Sequence, residues 1–130
     1  MPSDPALIAI VDDDASVCSA LRRLLRSSGY VVETHSSGAA FLQSIGDHRP
    51  DCIVLDLHMP EMNGFEVQAQ LRHRGVQAPI VVVTGQATPE GCERALSSGA
   101  FAYIGKPVDA TDLLAAIHGA LLNRRGASRT

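Results

Sequence analysis

Four apolar runs recur along the chain: Leu7-Ile8-Ala9-Ile10-Val11, Cys52-Ile53-Val54-Leu55, Ile80-Val81-Val82-Val83 and Ala102-Tyr103-Ile104-Gly105. Short continuous runs, unlike alternating ones, predict strands buried on both faces of a parallel sheet. Tyr30 to Thr34 reads as a further strand, second in chain order. Helical patterns fill the intervals. Asp14 can cap a helix over 15 to 28, with Val17, Leu21, Leu24, Leu25 and Ser28 on one face and Gly29 as its stop. Ser36 or Ser37 can start a short helix that turns Ala40, Phe41 and Ile45 inward and ends at Gly46, with Pro50 in the loop beyond. A third helix covers about 63 to 73 through Phe65, Val67 and Leu71. Thr88-Pro89 opens a fourth, which Gly91, Ser97, Ser98 and a stop at Gly99 make the least stable of the set. The fifth has Asp109 as N-cap, Asp112 three positions on, and Leu113, Leu114, Ile117 and Leu121 as its packed stripe.

Strand and helix therefore alternate five times, without internal repeat or low-complexity segment, which predicts a single doubly wound (βα)5 domain of the α/β class. In a five-stranded parallel sheet of order 2-1-3-4-5, ligands bind at the carboxyl ends of the strands, at the switch point between strands one and three. The domain is expected over residues 5–122, with 123–130 as a polar tail or linker stub.

Bulk properties narrow the classes. With 130 residues and 45% hydrophobic composition, one domain with a substantial core is expected. A net charge of −3 and a pI near 5.9 argue against a nucleic-acid surface, and the basic cluster Arg124-Arg125 with Arg129 falls in the tail. No apolar stretch approaches the roughly 18 residues of a membrane span, and Met1-Pro2-Ser3-Asp4-Pro5 lacks the regions of a secretion signal, so a soluble cytoplasmic protein is expected. Cys18, Cys52 and Cys92 are odd in number and far apart, which supports neither a disulfide framework nor a zinc site and leaves buried, reduced thiols. His35, His48, His73 and His118 read as surface or helix-end residues without ligand spacing.

The chemistry sits where the apolar runs stop. Asp12 and Asp13 follow the first run, Asp56 the second, Thr84 the third and Lys106 the last. Neighbouring parallel strands would bring the three carboxylates to one edge, where their repulsion demands a divalent cation; a hydroxyl and an ammonium would face them. Val11-Asp12-Asp13-Asp14, Asp56-Leu57-His58-Met59-Pro60-Glu61-Met62-Asn63-Gly64, Thr84-Gly85 and Lys106-Pro107, in that order and each closing a strand, resemble a response-regulator receiver domain of two-component signalling. The chain is most similar to the FixJ type, with the CheY-like fold. Each motif is weak alone and specific in combination.

The resemblance implies a phosphorylation-activated switch and no enzyme beyond promoting its own phosphorylation and autodephosphorylation. Asp56 would accept the phosphoryl group. Asp13 would bind Mg²⁺ directly and Asp12 through water, with Asp56 and the His58 carbonyl completing the protein ligands and Mn²⁺ as an alternative ion. Thr84 and Lys106 would bind phosphoryl oxygens, Pro107 would fix the turn after Lys106 through a cis peptide bond, and Tyr103 would turn inward when Thr84 moves. His58 and Gln86 would set phosphoryl lifetime. The expected partners are a histidine kinase or phosphotransfer protein, and a second copy through helix four, strand five and helix five; neither membrane nor direct nucleic-acid binding is expected. Ordinary readings stand beside these: strand-end acids as helix caps, with Asp14 assigned to that role, a structural threonine, a Lys-Pro turn and a half-buried tyrosine. Among rival classes, Asp12, Asp14 and Ser16 imitate the start of a haloacid-dehalogenase-type phosphatase, but Asp56 is then unexplained. A dinucleotide site is disfavoured by acids where glycines are needed. A phosphorylation-independent interaction module would leave the intact acids without a role.

Overall fold

The structure, a computed structural model, describes residues 5–46 and 49–128, the side chains of 124–128 apart. Met1 to Asp4, His48, Arg129 and the side chains of Arg124 and Arg125 lie outside that description. Ten elements alternate: β1 (Leu7–Val11), α1 (Ala15–Ser27), β2 (Val31–His35), α2 (Gly38–Ser44), β3 (Cys52–Leu55), α3 (Gly64–His73), β4 (Ile80–Thr84), α4 (Pro89–Ser97), β5 (Ala102–Gly105) and α5 (Ala110–Ser128). The strands form one parallel sheet of order β2-β1-β3-β4-β5.

The continuous apolar runs serve two cores at once, because successive strand residues point to opposite faces. Ala9, Val11, Ile53, Leu55 and Val82 pack with Phe41 and Leu42 of α2, Val67 and Leu71 of α3 and Ala95 of α4. Ile8, Ile10, Val54, Val81 and Val83 pack on the other face with Leu21 and Leu25 of α1 and Leu113 and Ile117 of α5. Side chains fix the helix starts. Asp14 Oδ1 accepts from Ser16 N and Val17 N at 2.9 and 3.2 Å, Ser37 Oγ from Ala40 N at 3.1 Å, and Asn63 and Glu66 form a reciprocal capping box. Thr88 Oγ1 accepts from Gly91 N at 2.9 Å, with Pro89 opening α4, and Asp109 Oδ1 accepts from Asp112 N at 3.0 Å.

Several expectations fail at the level of faces. Ser28 is exposed as the C-cap of α1, whose inward stripe is Cys18, Leu21 and Leu25. Ala40 points to solvent while Leu42 takes the core position. β5 is half-buried throughout, because an edge strand lacks one neighbour. His35 is no surface residue: it pairs with Glu33 and its ring meets that of Phe41 at 5.2 Å. Cys18 and Cys52 are buried, but Cys92 only half so. α5 runs on through Ser128, into the residues expected as a polar tail. α4 has Ala95 as its one fully buried residue among those described. No helix of the described residues is long and apolar enough to cross a membrane.

Candidate functional site

Each strand-end residue is placed by one further main-chain hydrogen bond beyond the strand. Asp12 N–H donates to His35 O at 3.1 Å, Asp56 N–H to Val11 O at 3.0 Å and Lys106 N–H to Thr84 O at 2.8 Å. These bonds align the next side chains along the carboxyl edge of the sheet. Carboxylate oxygens of Asp12, Asp13 and Asp56 come within 4.8 Å of one another, with Asp12 and Asp56 buried and Asp13 exposed. Oxygen donors converging at that spacing, one of them open to solvent, fit a hard divalent cation that retains some of its water.

Lys106 is the counter-charge. Its Nζ donates to Asp12 Oδ2 at 2.9 Å and lies 3.9 Å from Asp56 Oδ1. Burial pulls the Lys106 ammonium down, but the hydrogen bond to Asp12 and the charge of Asp56 outweigh it and leave its pKa above the usual lysine range. Asp56 is pushed up from the ordinary carboxylate value by burial first and by the Asp12 charge second, against the pull of Lys106. Asp12 Oδ1 accepts from Asp14 N at 2.9 Å, and Asp56 Oδ1 accepts a long bond from His58 N at 3.4 Å. Asp14 itself is turned away to cap α1, held below its usual pKa by Ser16 Oγ and the helix amides, so it is not part of the cluster.

Thr84 is wholly buried at the end of β4, and its Oγ1 accepts from Gln86 N at 3.2 Å. His58 and Gln86 thus stand in equivalent places: each is exposed, two residues past a site residue, with its amide turned back onto that residue. Tyr103 lies half-buried on β5, its Oη accepting from Thr88 N at 3.2 Å, beside the N-terminus of α4. The Lys106-Pro107 bond is cis.

Two glycines shape the site in ways composition does not announce. A Cβ at Gly64 would stand 2.6 Å from Asp56 O and 2.8 Å from Leu57 Cα, so the loop after β3 folds back onto α3 only because this residue has no side chain. At Gly91 a Cβ would meet Tyr103 Oη at 2.8 Å. Cys18, a buried free thiol as expected, also donates its Sγ–H to Asp12 O at 3.2 Å, a contact with the acid-bearing loop that the sequence does not indicate. Motif spacing supplies Gly64; nothing in the sequence pairs Gly91 with Tyr103.

Comparison with known proteins agrees with this geometry. The family model described as "Response regulator receiver domain" matches residues 8–118. Response regulator protein TmoT of Ectopseudomonas mendocina is 40% identical over 121 residues, covering 93% of this chain and 55% of that protein. The chain spans about half the length of the curated relatives it matches. Among solved structures, a CheY-like receiver domain protein from Methanospirillum hungatei JF-1 superposes with a TM-score of 0.88 at 30% identity, covering 95% of this chain and 98% of that one. FixJ-N superposes with a TM-score of 0.84 at 33% identity, covering 93% and 95%. Strand order, the acid cluster at the switch point and a family match over most of the sequence lead to one conclusion: the chain belongs to the response-regulator receiver domains of two-component signalling.

Proposed function

We propose that Asp56 accepts a phosphoryl group from the phosphohistidine of a kinase or phosphotransfer protein, with Mg²⁺ as cofactor. The observation that carries this is the convergence of three carboxylates and the Lys106 ammonium at one edge, with Asp56 at the centre of the sheet. An Asp56 carboxylate oxygen attacks phosphorus as the N–P bond breaks, and the imidazole leaves with that electron pair and takes a proton from solvent. Mg²⁺, or Mn²⁺ in its place, held by Asp12, Asp13, Asp56 and the His58 carbonyl, supplies positive charge for the phosphoryl oxygens.

Lys106 exchanges its contact with Asp12 for a phosphoryl oxygen, and Thr84 Oγ–H donates to another. That donation draws on the hydroxyl whose oxygen now accepts from Gln86 N, so phosphorylation shifts the segment leading into α4. Tyr103 reads the shift through its bond to Thr88, and the lightly buried α4 is the element that moves. The α4-β5-α5 face then meets an output domain or a second copy. His58 and Gln86, exposed beside the acceptor, govern access of the water that returns Asp56 to its free form. In a longer protein of the length of the relatives, the proposed output is control of transcription.

Incubation with acetyl phosphate and Mg²⁺ should add one phosphoryl group, absent in Asp56→Asn. Full labelling of that variant, or labelling of wild type undiminished by chelation of the metal, overturns the reading.

A further inference from the structure

The two ends of α4 are attached to the protein by different means. The C-terminal end is held both from α3 and from the sheet. Gln68 Nε2 of α3 donates to Ala95 O at 3.2 Å, Arg72 Nη1 donates to Ser98 O at 2.9 Å, and the Arg94 guanidinium lies 3.9 Å from the centre of the Phe65 ring. Ala95 is wholly buried, Ala100 N–H donates back to Ala95 O at 3.0 Å, and Phe101 N–H donates to Ile80 O of β4 at 2.8 Å. The N-terminal end has far less. Residues 85–90 are all exposed, and among the described residues one hydrogen bond joins the N-cap and first turn of α4 to another element, from Thr88 N–H to Tyr103 Oη at 3.2 Å. Gly91 adds only a close approach to the same hydroxyl, which a Cβ there would meet at 2.8 Å.

The costs of parting these contacts differ as much as their number. Gln68 lies on the core stripe of α3, wholly buried, and its Oε1 already has no hydrogen-bond partner among the described residues. Moving Ala95 away would strand Nε2 as well and leave a whole amide unpaired in the core, a penalty that water is not there to relieve. Thr88 and Tyr103 meet at the surface, where water replaces either partner.

We propose that α4 pivots about its C-terminal end, with Gln68 and Arg72 as positioning residues that fix 95–98 while the segment from Thr88 to Glu93 swings. The trigger is the shift at Thr84 and Gln86 proposed above, and the pivot rests on that reading. A leucine in place of Gln68 would bury no unpaired acceptor, but it would leave Ala95 O without its hold from α3, so the glutamine has a reason for its place. The surface that changes is then Thr88, Glu90 and Glu93 beside Tyr103, whereas Leu96, exposed on the held end, presents the same surface in both states.

NMR shifts of the ¹⁵N-labelled chain with Mg²⁺ and beryllofluoride, a phosphoryl mimic, test the pivot. The amides of Thr88, Gly91 and Cys92 should move, while the Gln68 side-chain NH₂ and the amides of Ser98, Gly99 and Ala100 keep their positions. In Gln68→Leu with Arg72→Gln the shifts should spread through Ala100, a redistribution that mere loss of stability does not produce; Arg72→Gln alone should show it in part if the double variant does not fold. Gln68 NH₂ signals that move as far as the Thr88 amide, or variants that keep the wild-type pattern, overturn the pivot. A second measurement needs no phosphoryl group. Tyr103→Phe takes away the N-terminal bond and should speed amide exchange at Gly91 and Cys92 about fivefold, as loss of one hydrogen bond does, without changing Ala100. No difference between the two ends in that variant also overturns the pivot. Acetyl phosphate labelling reads Asp56 separately, so failed labelling beside an intact Tyr103→Phe asymmetry counts against the acceptor and not against the pivot.

Discussion

Lys106 Nζ sits 2.9 Å from Asp12 Oδ2 across 94 positions of sequence, joining the last strand to the first through a charged pair at the carboxyl edge of the sheet. The lysine side chain is 22% exposed and the aspartate side chain 4%, so loss of the lysine leaves the more deeply buried charge without its partner. Lys106→Met should therefore destabilise the metal-free protein by about 1–3 kcal/mol. Saturating Mg²⁺ should narrow the difference, since a cation then serves the same carboxylate. Urea unfolding with and without Mg²⁺ measures both.

Asp56 carries the opposite sign. Its folded-state pKa is raised, by burial and then by the Asp12 charge, so the folded state binds more protons than the unfolded chain between the ordinary carboxylate value and that raised one. Stability contributed by this group falls as pH rises through that window and stays low above it. Asp56→Asn should therefore melt higher than wild type at neutral pH without metal, and the gap should close as the pH is lowered through the window. Melting curves of the pair across that range check it, and a variant less stable than wild type at neutral pH contradicts it.

On the proposed function, Mg²⁺ would bind the assembled acids and not their dispersed counterparts in the unfolded chain, so at about 100-fold over its dissociation constant it should add roughly 2.7 kcal/mol. Asp13→Asn, altering the exposed member of the cluster, should lose most of that increment while melting normally without metal. Retention of the full increment would place the ion elsewhere.

Gly64→Ala tests the support behind the proposed acceptor. Its Cβ would fall 2.6 Å from Asp56 O and 2.8 Å from Leu57 Cα, and main chain cannot swing aside as a side-chain tip can. A loss of about 2–4 kcal/mol is expected, with slower phosphoryl acceptance because the Asp56 peptide is displaced. Denaturant midpoints and labelling rates read the two effects.

Gly91→Ala should depend on Tyr103. In a Tyr103→Phe background the new methyl no longer meets the hydroxyl, and the gain in helix propensity should add up to about 1 kcal/mol. With Tyr103 intact, the 2.8 Å approach displaces the hydroxyl from Thr88 N and cancels that gain. A double-mutant cycle should show non-additivity of about 1 kcal/mol.

Where the sequence was readable, the reason was local. β1 and β3 are buried on both faces, so their apolar runs coincide with their spans and a candidate site residue follows each, whereas β4 carries its run one residue further to include Thr84. Faces were harder to read. In α1 the apolar residues form two overlapping stripes one position apart, and only packing against the sheet selects Cys18 over Ser28. β5 has the same apolar look as the central strands, yet its place at the edge, a property of sheet order and not of the run, leaves it half-buried. The contacts of Gly91 with Tyr103 and of Gln68 with Ala95 join residues 12 and 27 positions apart, and no periodicity carries information of that kind.

The amides of Asp12, Asp56 and Lys106 each complete one more rung to a neighbouring strand or strand end, so the skeleton of the site is held by bonds that do not involve the reactive groups. Chemistry and architecture are therefore interchangeable in only one direction. A variant that trades its acids for neutral residues leaves each of these rungs in place, so its fold is expected to outlast the proposed chemistry. One that breaks a rung loses both.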